Sequence, residues 1–356
     1  MILFVCPEPT SNNERDGLIQ RVSAIDAKFQ TTIRTILSVS FTRNLRRTAV
    51  RRSETLTVEC VNAFIHIPHI LRLARKSSAV YVHTCNQAFR VLLLYALQRN
   101  VITDMHGALP EEIAMQGLRL AKLRYDLIER FVVRRSSVLI CVTSAMREHF
   151  VRKYPGLNAR FFLLPILPAM APEEEGDHRE SNLALYCGGA QTWQCIPDLL
   201  MSIKQTSGFR RWLILTGDKE RMRQEADAVG AVAEILSVPK TTLPKYYARA
   251  MYGFALRYDN VVNRVACPTK VVEYMYYGVI PVVKTPQIGD FCELGYQYIQ
   301  LADFVAGISV ESDVAEEMRQ RNRNIVLELQ SASTKEFRKL REFLENPEGG
   351  FTERSG

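Results

Sequence analysis

Short apolar runs alternate with helix-like segments along the first half of the chain. The runs predict strands at 2–6, 56–61, 79–83, 101–107 and 138–142. The spacing of apolar side chains between them predicts a helix from Gly17, a helix over 86–98, a long helix to Arg134 and a helix capped by Ser144. Strand, helix and strand in this order predict a parallel, doubly wound sheet.

The same alternation returns after residue 180. The predicted strands are 183–187, 212–216, 234–238, 252–257 and 280–284, and the first two run into Gly188-Gly189 and Gly217-Asp218. A short helix precedes the last strand, with Pro268 at its first position and Gly278 just past its end. Two further helical stretches are predicted from about Val310.

A change of composition separates the two halves. Between Pro165 and Ser181 the chain is rich in Pro, Ala, Glu and Gly, as interdomain linkers are. The predicted fold class is therefore α/β, with two domains that each contain a parallel, doubly wound sheet. Their predicted bounds are 1–168 and 181–310, with a linker over 169–180 and C-terminal helices over 311–356.

Composition is that of a globular protein. Hydrophobic residues make up 47% of the 356 residues and charged residues 24%. The eight cysteines are scattered without a C-x-x-C pair, so we expect reduced thiols and no metal site. The first residues lack a basic segment followed by a long apolar run, and no run is long enough for a membrane span. We expect a cytoplasmic protein, either soluble or peripheral to the membrane.

Positive charge is concentrated in the first half of the chain. Residues 1–170 hold 24 Lys and Arg against 12 Asp and Glu, whereas the remainder is net negative. Five arginines lie close together among apolar residues: Arg43, Arg46, Arg47, Arg51 and Arg52. Such a patch is expected to attract an anionic membrane surface, at the inner face of the cell membrane, or an acidic substrate. The alternative is a solvated arginine-rich loop, and no binding module indicates nucleic acid.

The helix from Pro268 combines features that suit a nucleotide diphosphate. Lys270 and Glu273 lie three residues apart on one helix face, beside a helix start whose free N–H groups attract anions. A cation and a helix N-terminus hold phosphate, and a carboxylate one turn later can accept two ribose hydroxyls. An exposed Lys/Glu pair is the alternative interpretation.

This segment resembles the donor-binding region of family 4 (group 1) glycosyltransferases, in which a proline, a lysine and a glutamate open the helix before a Gly-containing, Pro-Val-Val strand. The resemblance implies a GT-B fold, with two Rossmann-like domains whose parallel sheets face each other across a cleft. It further implies that the second domain holds most of the nucleotide-sugar, that the C-terminal helices return to the first domain, and that transfer retains configuration and needs no metal.

In the first domain, Asp104-Met105-His106-Gly107 follows a predicted parallel strand, where open α/β sheets place ligands. The resemblance places His106 beside the donor sugar, and Asp104 is expected to orient a hydroxyl or the acceptor. A structural histidine is the alternative. Glu111 and Glu112 are expected to cap the next helix. The candidate catalytic residues are His106, Asp104 and Glu273.

Donor binding is expected in the second domain. The candidate residues are Gly188, Gly189, Gln191, Gly217, Arg257, Arg264, Pro268, Thr269, Lys270 and Glu273. Two departures from the family pattern stand out. Gly189 and Gln194 occupy the loop positions where the family has an arginine and a lysine, and Val265 stands where the first glutamate of E-x7-E belongs. Neutralisation of the diphosphate is then expected from Arg257, Arg264 and Lys270.

The resemblance implies transfer of a sugar from a nucleotide diphosphate donor to a glycan or lipid-linked acceptor, in the synthesis of a cell-surface polysaccharide such as capsule or lipopolysaccharide. No cofactor is expected besides the donor as co-substrate. Acceptor contacts are expected from the loop after the first strand, at Glu8, Asn12, Asn13 and Gly17. The alternatives are a sugar-nucleotide epimerase or phosphorylase of the same architecture and a non-catalytic binding subunit. P-loop, α/β-hydrolase and dinucleotide-binding motifs are absent from the sequence.

Overall fold

The computed structural model describes residues 1–10, 13, 16–98, 100–168, 170 and 179–345. The chain forms two compact units. The first contains Met1–Pro165 and the chain from Ser333, and the second contains Ile166–Ala332. The division at Pro165 lies three residues before the predicted end of the first domain. Most of the predicted linker, 169 and 171–178, lies outside the described residues, as does the tail from 346.

The first unit consists of an eight-stranded sheet with helices. Its strands are β1 (Ile2–Val5), β2 (Arg34–Ser40), β3 (Thr48–Arg51), β4 (Leu56–Asn62), β5 (Ala79–His83), β6 (Val101–Met105), β7 (Val138–Cys141) and β8 (Arg160–Leu163). Its helices are α1 (Gly17–Asp26), α2 (Ile67–Lys76), α3 (Thr84–Arg90), α4 (Leu92–Leu97), α5 (Leu109–Met115), α6 (Arg119–Arg135) and α7 (Ser144–Lys153).

The strand order is β3-β4-β2-β1-β5-β6-β7-β8, and all pairs are parallel except β3 with β4. Because the order runs in opposite directions from β1 and β5, the carboxyl ends of these strands form the switch point where open sheets bind ligands. Phe4, Tyr81 and Ile140 belong to the core on one side of the sheet.

Several elements of the first unit differ from the predicted ones. Strands β2, β3 and β8 and helix α2 were not predicted. The helix predicted over 86–98 is interrupted at Val91, whose backbone is not helical, and the long helix is divided by Gly117 at φ +76°. The prediction of Ser144 as N-cap is wrong by one residue, because the Thr143 hydroxyl accepts a 3.0 Å hydrogen bond from the Met146 amide.

The second unit has a six-stranded sheet. Its strands are β9 (Glu180–Cys187), β10 (Arg211–Leu215), β11 (Glu234–Leu236), β12 (Ala250–Phe254), β13 (Ile280–Val283) and β14 (Ile299–Gln300). Its helices are α8 (Ile196–Thr206), α9 (Lys219–Val229), α10 (Leu243–Arg249), α11 (Val261–Arg264), α12 (Thr269–Tyr276) and α13 (Leu301–Val305). Helix α14 (Ser312–Glu345) follows as one helix instead of the two predicted stretches.

The second sheet is parallel throughout, with the order β11-β10-β9-β12-β13-β14. Its switch point lies between β9 and β12. Trp212, Phe254 and Phe304 pack edge to face in its core. The last part of α14 belongs to the first unit, where Phe337 packs edge-on against Phe29. Within the part of the chain that is described, no helix has the length and apolar character needed to cross a membrane.

Candidate active site

The glycine pair of the second unit lies at the switch point of its sheet. Gly188 and Gly189 directly follow β9, and Arg257 lies in the segment that follows the neighbouring strand β12. The carboxyl ends of adjacent parallel strands meet at one edge of a sheet. Residues that were predicted from separate stretches of sequence are therefore brought to the same place.

Helix α12 begins one residue later than predicted, with Pro268 as its N-cap and Thr269 as its first residue. It ends as predicted before Gly278, which has φ +66°. The Tyr274 hydroxyl accepts a 2.9 Å hydrogen bond from the Cys187 amide, so this helix is fixed to the end of β9. Lys270 is thereby held beside the glycine pair.

Lys270 is buried and has no carboxylate within ion-pair distance in the described structure. Its Nζ donates a 2.6 Å hydrogen bond to Gln194 Oε1 and lies 4.1 Å from the centre of the Tyr186 ring. Burial, with the nearby positive charge of Arg257, lowers the pKa of Lys270 to about 7. Its ammonium form therefore gains stability from any anion that binds next to it.

Arg257 is the second buried cation. Its Nη1 donates a 2.7 Å hydrogen bond to Asn263 Oδ1, while its buried Nε has no hydrogen-bond partner among the described residues. Burial lowers the pKa of Arg257 to about 10. Two buried cations without a paired carboxylate form a site that favours a polyanion.

Gly188 allows the chain to pass close to Lys270. A Cβ at this position would lie 3.1 Å from the Tyr186 hydroxyl and 3.3 Å from Lys270 Nζ, and the backbone has φ +156°. A side chain here would occupy the space above the ammonium group. At Gly189 the space is filled by the side chain of Gln191.

Glu273 lies one turn after Lys270 on α12. Its Oε2 accepts a 3.0 Å hydrogen bond from the Tyr247 hydroxyl, and burial raises the pKa of its carboxyl group. The second carboxylate oxygen accepts no hydrogen bond from a described residue. Glu273 thus retains capacity to accept hydroxyl hydrogen bonds.

Other predicted donor residues lie differently. Arg264 forms an exposed ion pair with Asp259, with Nε 2.6 Å from Oδ1, so its charge is already compensated. Gly217 is exposed after β10, and Asp218 caps α9. Val265 is buried, so the position of the missing family glutamate is apolar.

Asp104 is the centre of a buried polar cluster in the first unit. Its Oδ2 accepts hydrogen bonds from Arg21 Nε at 3.1 Å and from the Tyr81 hydroxyl at 2.8 Å, and Oδ1 accepts from Arg21 Nη2 at 3.3 Å. The Arg21 and His106 charges hold the pKa of Asp104 below its usual range despite its burial. Because Asp104 is fully buried, it is placed to orient neighbouring side chains, not to contact a substrate itself.

Two histidines face this carboxylate. His106 Nε2 lies 3.3 Å from Asp104 Oδ2, and His83 Nδ1 lies 3.6 Å from the same oxygen. The atoms of the three residues that could coordinate a metal lie within 4.8 Å of one another. This spacing would suit a metal ion, but the buried guanidinium of Arg21 already compensates the carboxylate and would repel a second cation. His106 is the partly exposed member of the pair, and His83 is fully buried.

Glu112 is a functional candidate that the sequence interpretation missed. It was expected only to cap a helix, but its carboxylate lies over Gly107, where a Cβ would come within 2.1 Å of Oε1. Burial and the charges of Glu111 and Glu129 raise its pKa, and no hydrogen bond to a described residue satisfies it. Glu111 instead accepts a 2.8 Å hydrogen bond from Lys153. The signal in the sequence was the glycine that follows His106.

The described residues of the predicted acceptor loop contact one another and Arg52. Asn13 donates to the Glu8 carbonyl at 3.0 Å and accepts from the Thr10 amide at 2.8 Å, while the Glu8 carboxylate pairs with Arg52. Gly17 is the exposed first residue of α1. Asn12 lies outside the described residues.

The predicted arginine patch lies on and around the edge strand β3. Arg47 lies 3.6 Å from Glu59, and Arg51 donates to the carbonyls of Ser53 and Glu54. With the pair formed by Arg52, three of the five arginines are engaged. Arg43 and Arg46 are exposed.

Residues 6–165 match the family model of the glycosyl transferase 4-like domain. No curated protein sequence matches the chain.

Solved glycosyltransferase structures resemble nearly the whole chain. HepE (Alr3699) from Anabaena in complex with UDP-glucose has a TM-score of 0.68 at 11% identity, covering 96% of this chain and 99% of that one. The trehalose-6-phosphate protein from E. coli bound with UDP-2-fluoro glucose has a TM-score of 0.63 at 11% identity, with 97% and 99% covered. The UDP-forming trehalose-phosphate synthase from Burkholderia vietnamiensis has a TM-score of 0.63 at 11% identity, with 96% and 98% covered.

These comparisons establish the fold. The predicted resemblance to GT-B glycosyltransferases of the family 4 type is confirmed, as is the α/β architecture with two sheets of mainly parallel strands. At 11% identity the likeness shows the fold, and the function is argued from the residues of the site.

Proposed function

We propose that this protein is a retaining glycosyltransferase that moves a hexosyl or related sugar from a nucleotide diphosphate donor, with UDP as the nucleotide. The observation that carries the proposal is the pair of buried cations, Lys270 and Arg257, at the switch point of the second sheet without a paired carboxylate. A diphosphate is the ligand that such a pair favours. The structural neighbours that hold UDP or UDP-glucose support the choice of nucleotide.

The proposed donor site uses three kinds of group. Lys270 and Arg257 bind the diphosphate together with the amides of Gly188 and the start of α12, and Glu273 accepts the ribose hydroxyls. As the sugar leaves, negative charge grows on the diphosphate, and the two cations stabilise it there. No metal or further cofactor is needed for this step.

We propose that His106, in the first unit, binds the sugar of the donor. Asp104, fixed by Arg21 and Tyr81, orients the imidazole so that His106 donates a hydrogen bond to a sugar hydroxyl. Glu112 lies over Gly107 with unused acceptor capacity, so we assign it to another hydroxyl at the same place.

The proposed acceptor is a glycan or a lipid-linked glycan of a cell-surface polysaccharide such as capsule or lipopolysaccharide. The loop with Glu8, Asn13 and Gly17 follows β1 at the switch point of the first sheet, which supports its assignment to the acceptor. We place the reaction in the cytoplasm, at the membrane face. The eight free cysteines agree with a reducing compartment.

The test is a thermal-shift screen against UDP-, GDP-, dTDP-, ADP- and CMP-linked sugars, followed by a hydrolysis assay of each stabilising donor. Stabilisation by UDP-sugars with slow release of free sugar is the expected result. A changed sugar, or cleavage that requires added phosphate, would instead identify an epimerase or a phosphorylase. Donor binding without turnover, even with glycan and lipid-linked acceptors, would indicate the non-catalytic subunit that Val265 suggests.

A further inference from the structure

The outer face of α6 carries a row of exposed leucines. Leu120, Leu123 and Leu127 are 85%, 60% and 62% exposed, and their spacing of three and four residues places them on one side of the helix. Leu118 just before the helix is 53% exposed. Large apolar side chains in such a row mark a surface that contacts a partner.

Arginines surround these leucines. The exposed ones on α6 are Arg119, Arg124, Arg130, Arg134 and Arg135. The two acidic residues of the helix point elsewhere: Glu129 is fully buried and accepts a 2.7 Å hydrogen bond from Lys153, and Asp126 lies 3.1 Å from the same ammonium group. The exposed face of α6 is therefore apolar and basic, with no carboxylate among its residues.

Helix α4, which packs beside α6, carries two further exposed leucines, Leu93 and Leu97, 44% and 52% exposed. With its 17 residues, α6 is about 25 Å long. We propose that α6 lies in the headgroup region of an anionic lipid membrane, with its leucines entering the apolar layer and its arginines binding lipid phosphates.

Charge decides between a membrane and a second copy of the chain. Two α6 faces brought together would oppose arginines to arginines, which costs energy unless acidic groups intervene. An anionic bilayer satisfies the leucines and the arginines together. The arginine patch at 43–52 is less suited, because Arg47, Arg51 and Arg52 are already engaged.

This surface does not depend on the donor chemistry, so the two proposals fail separately. The first experiment is co-sedimentation of the full chain with vesicles of pure phosphatidylcholine and with vesicles containing one third phosphatidylglycerol. We expect binding to the anionic vesicles only, and weaker binding as salt is raised. Absence of binding to the anionic vesicles at low salt would overturn the proposal.

Two triple variants separate the apolar and charged contributions: Leu120→Gln/Leu123→Gln/Leu127→Gln and Arg124→Gln/Arg130→Gln/Arg134→Gln. The arginine variant is expected to bind about 100-fold more weakly, because each basic residue contributes about fivefold. The affinity of the leucine variant for the vesicles is expected to fall by a similar factor. All six side chains are exposed, so thermal unfolding should be unchanged.

The matched control is Arg43→Gln/Leu45→Gln/Arg46→Gln, which removes exposed residues of the same types from the other basic patch. It is expected to bind vesicles like the unaltered protein. Loss of binding in this control but not in the α6 variants would overturn the assignment to α6. So would a dimer in solution that the α6 leucine variant abolishes.

A second measurement tests insertion directly. Both tryptophans of the chain, Trp193 and Trp212, lie in the second unit, so a tryptophan placed by Leu123→Trp would report on α6. Its emission is expected to shift to shorter wavelength with anionic vesicles. An unchanged spectrum upon vesicle binding would exclude insertion of this face.

Discussion

Lys270 Nζ and Gln194 Oε1 are joined by a 2.6 Å hydrogen bond, and Gln194 stands at the loop position where the family has a lysine. The Gln194 amide carries no charge and so does not neutralise the Lys270 ammonium group. The positive charge therefore remains available to an anionic ligand. Because the lysine is buried, Lys270→Met should weaken UDP binding by about 100-fold, about 2.7 kcal/mol, when measured by calorimetry. The unfolding temperature of this variant at neutral pH should not be lower than that of the unaltered protein, because the substitution removes a costly buried charge.

The control for this variant is Lys204→Met, which removes an exposed lysine from α8 of the same unit. It should bind UDP normally. Equal loss in both variants would show that overall charge, not this site, determines affinity.

The lowered pKa of Lys270 also predicts that donor binding takes up a proton. Lys270 has a pKa of about 7 in the free protein, and a bound diphosphate favours its charged form and raises that pKa. Above pH 7 the proton must be acquired on binding, so affinity for UDP-glucose should fall as pH rises, by at most tenfold per pH unit. Calorimetry at pH 8 in two buffers of different ionisation enthalpy measures the uptake directly.

UDP-glucose is the ligand of choice for that measurement, because its diphosphate has no group that titrates near neutral pH. Lys270→Arg provides the comparison, since a guanidinium remains charged throughout the range. This variant should bind without proton uptake. Proton uptake that persists in Lys270→Arg would assign the linkage to another group.

His106 is expected to matter for transfer more than for folding. Its imidazole is partly exposed and faces Asp104 at 3.3 Å, so His106→Ala should lower turnover of the donor by about 100-fold with little change in thermal unfolding. His69→Ala is the matched control, because His69 likewise faces a carboxylate, Glu59, at 2.6 Å but lies on α2. If His106→Ala turns over the donor as fast as His69→Ala, then His106 has a structural role only.

Glu111 and Glu112 are adjacent but should respond oppositely to substitution. Glu112→Gln neutralises a carboxylate above Gly107 that no described residue hydrogen-bonds, so it should lower turnover at least about tenfold and leave stability unchanged or higher. Glu111→Gln weakens the ion pair with Lys153 and should lower stability with activity retained. Measuring donor hydrolysis and thermal unfolding for the two variants separates the roles, and the reverse pattern would exclude Glu112 from the site.

How far the sequence predicts this protein depends on the range of the interactions involved. The helix from Pro268 to Gly278 and the strand that follows were predicted almost to the residue, because a proline, a glycine and a β-branched run act locally. Strand β8 was missed because Arg160-Phe161-Phe162-Leu163 becomes a strand only by pairing with β7, a contact between distant parts of the chain.

The site shows the same division. The positions of Lys270, Glu273 and His106 follow from motifs, whereas their partners do not. Packing between elements determines that Arg21 compensates Asp104 across 83 residues. It also determines that Glu111, and not Glu112, hydrogen-bonds Lys153. Burial likewise distinguishes Arg257, which is buried and remains a candidate for donor binding, from Arg264, which pairs with Asp259 in solvent.

The buried His83 predicts that the first unit loses stability in acid before the second does. Burial lowers the pKa of His83 to about 3, whereas an unfolded histidine titrates near 6.5. Between these values the unfolded chain binds a proton that the native chain does not, so the free energy of unfolding falls as pH falls. The slope is at most about 1.4 kcal/mol per pH unit. Asp104, whose pKa lies below its usual range, adds to the loss only below about pH 4.

Urea unfolding at pH 7, 5.5 and 4.5 tests this with two probes. Trp193 and Trp212 report on the second unit alone, whereas far-ultraviolet circular dichroism reports on both. The dichroism should show an early transition that moves to lower urea as pH falls, and the tryptophan emission should change less. His83→Phe keeps an aromatic ring beside Phe4 and Tyr81 but cannot be protonated, so it should flatten the pH dependence of the early transition. An undiminished slope in this variant would mean that His83 does not control the acid stability of the first unit.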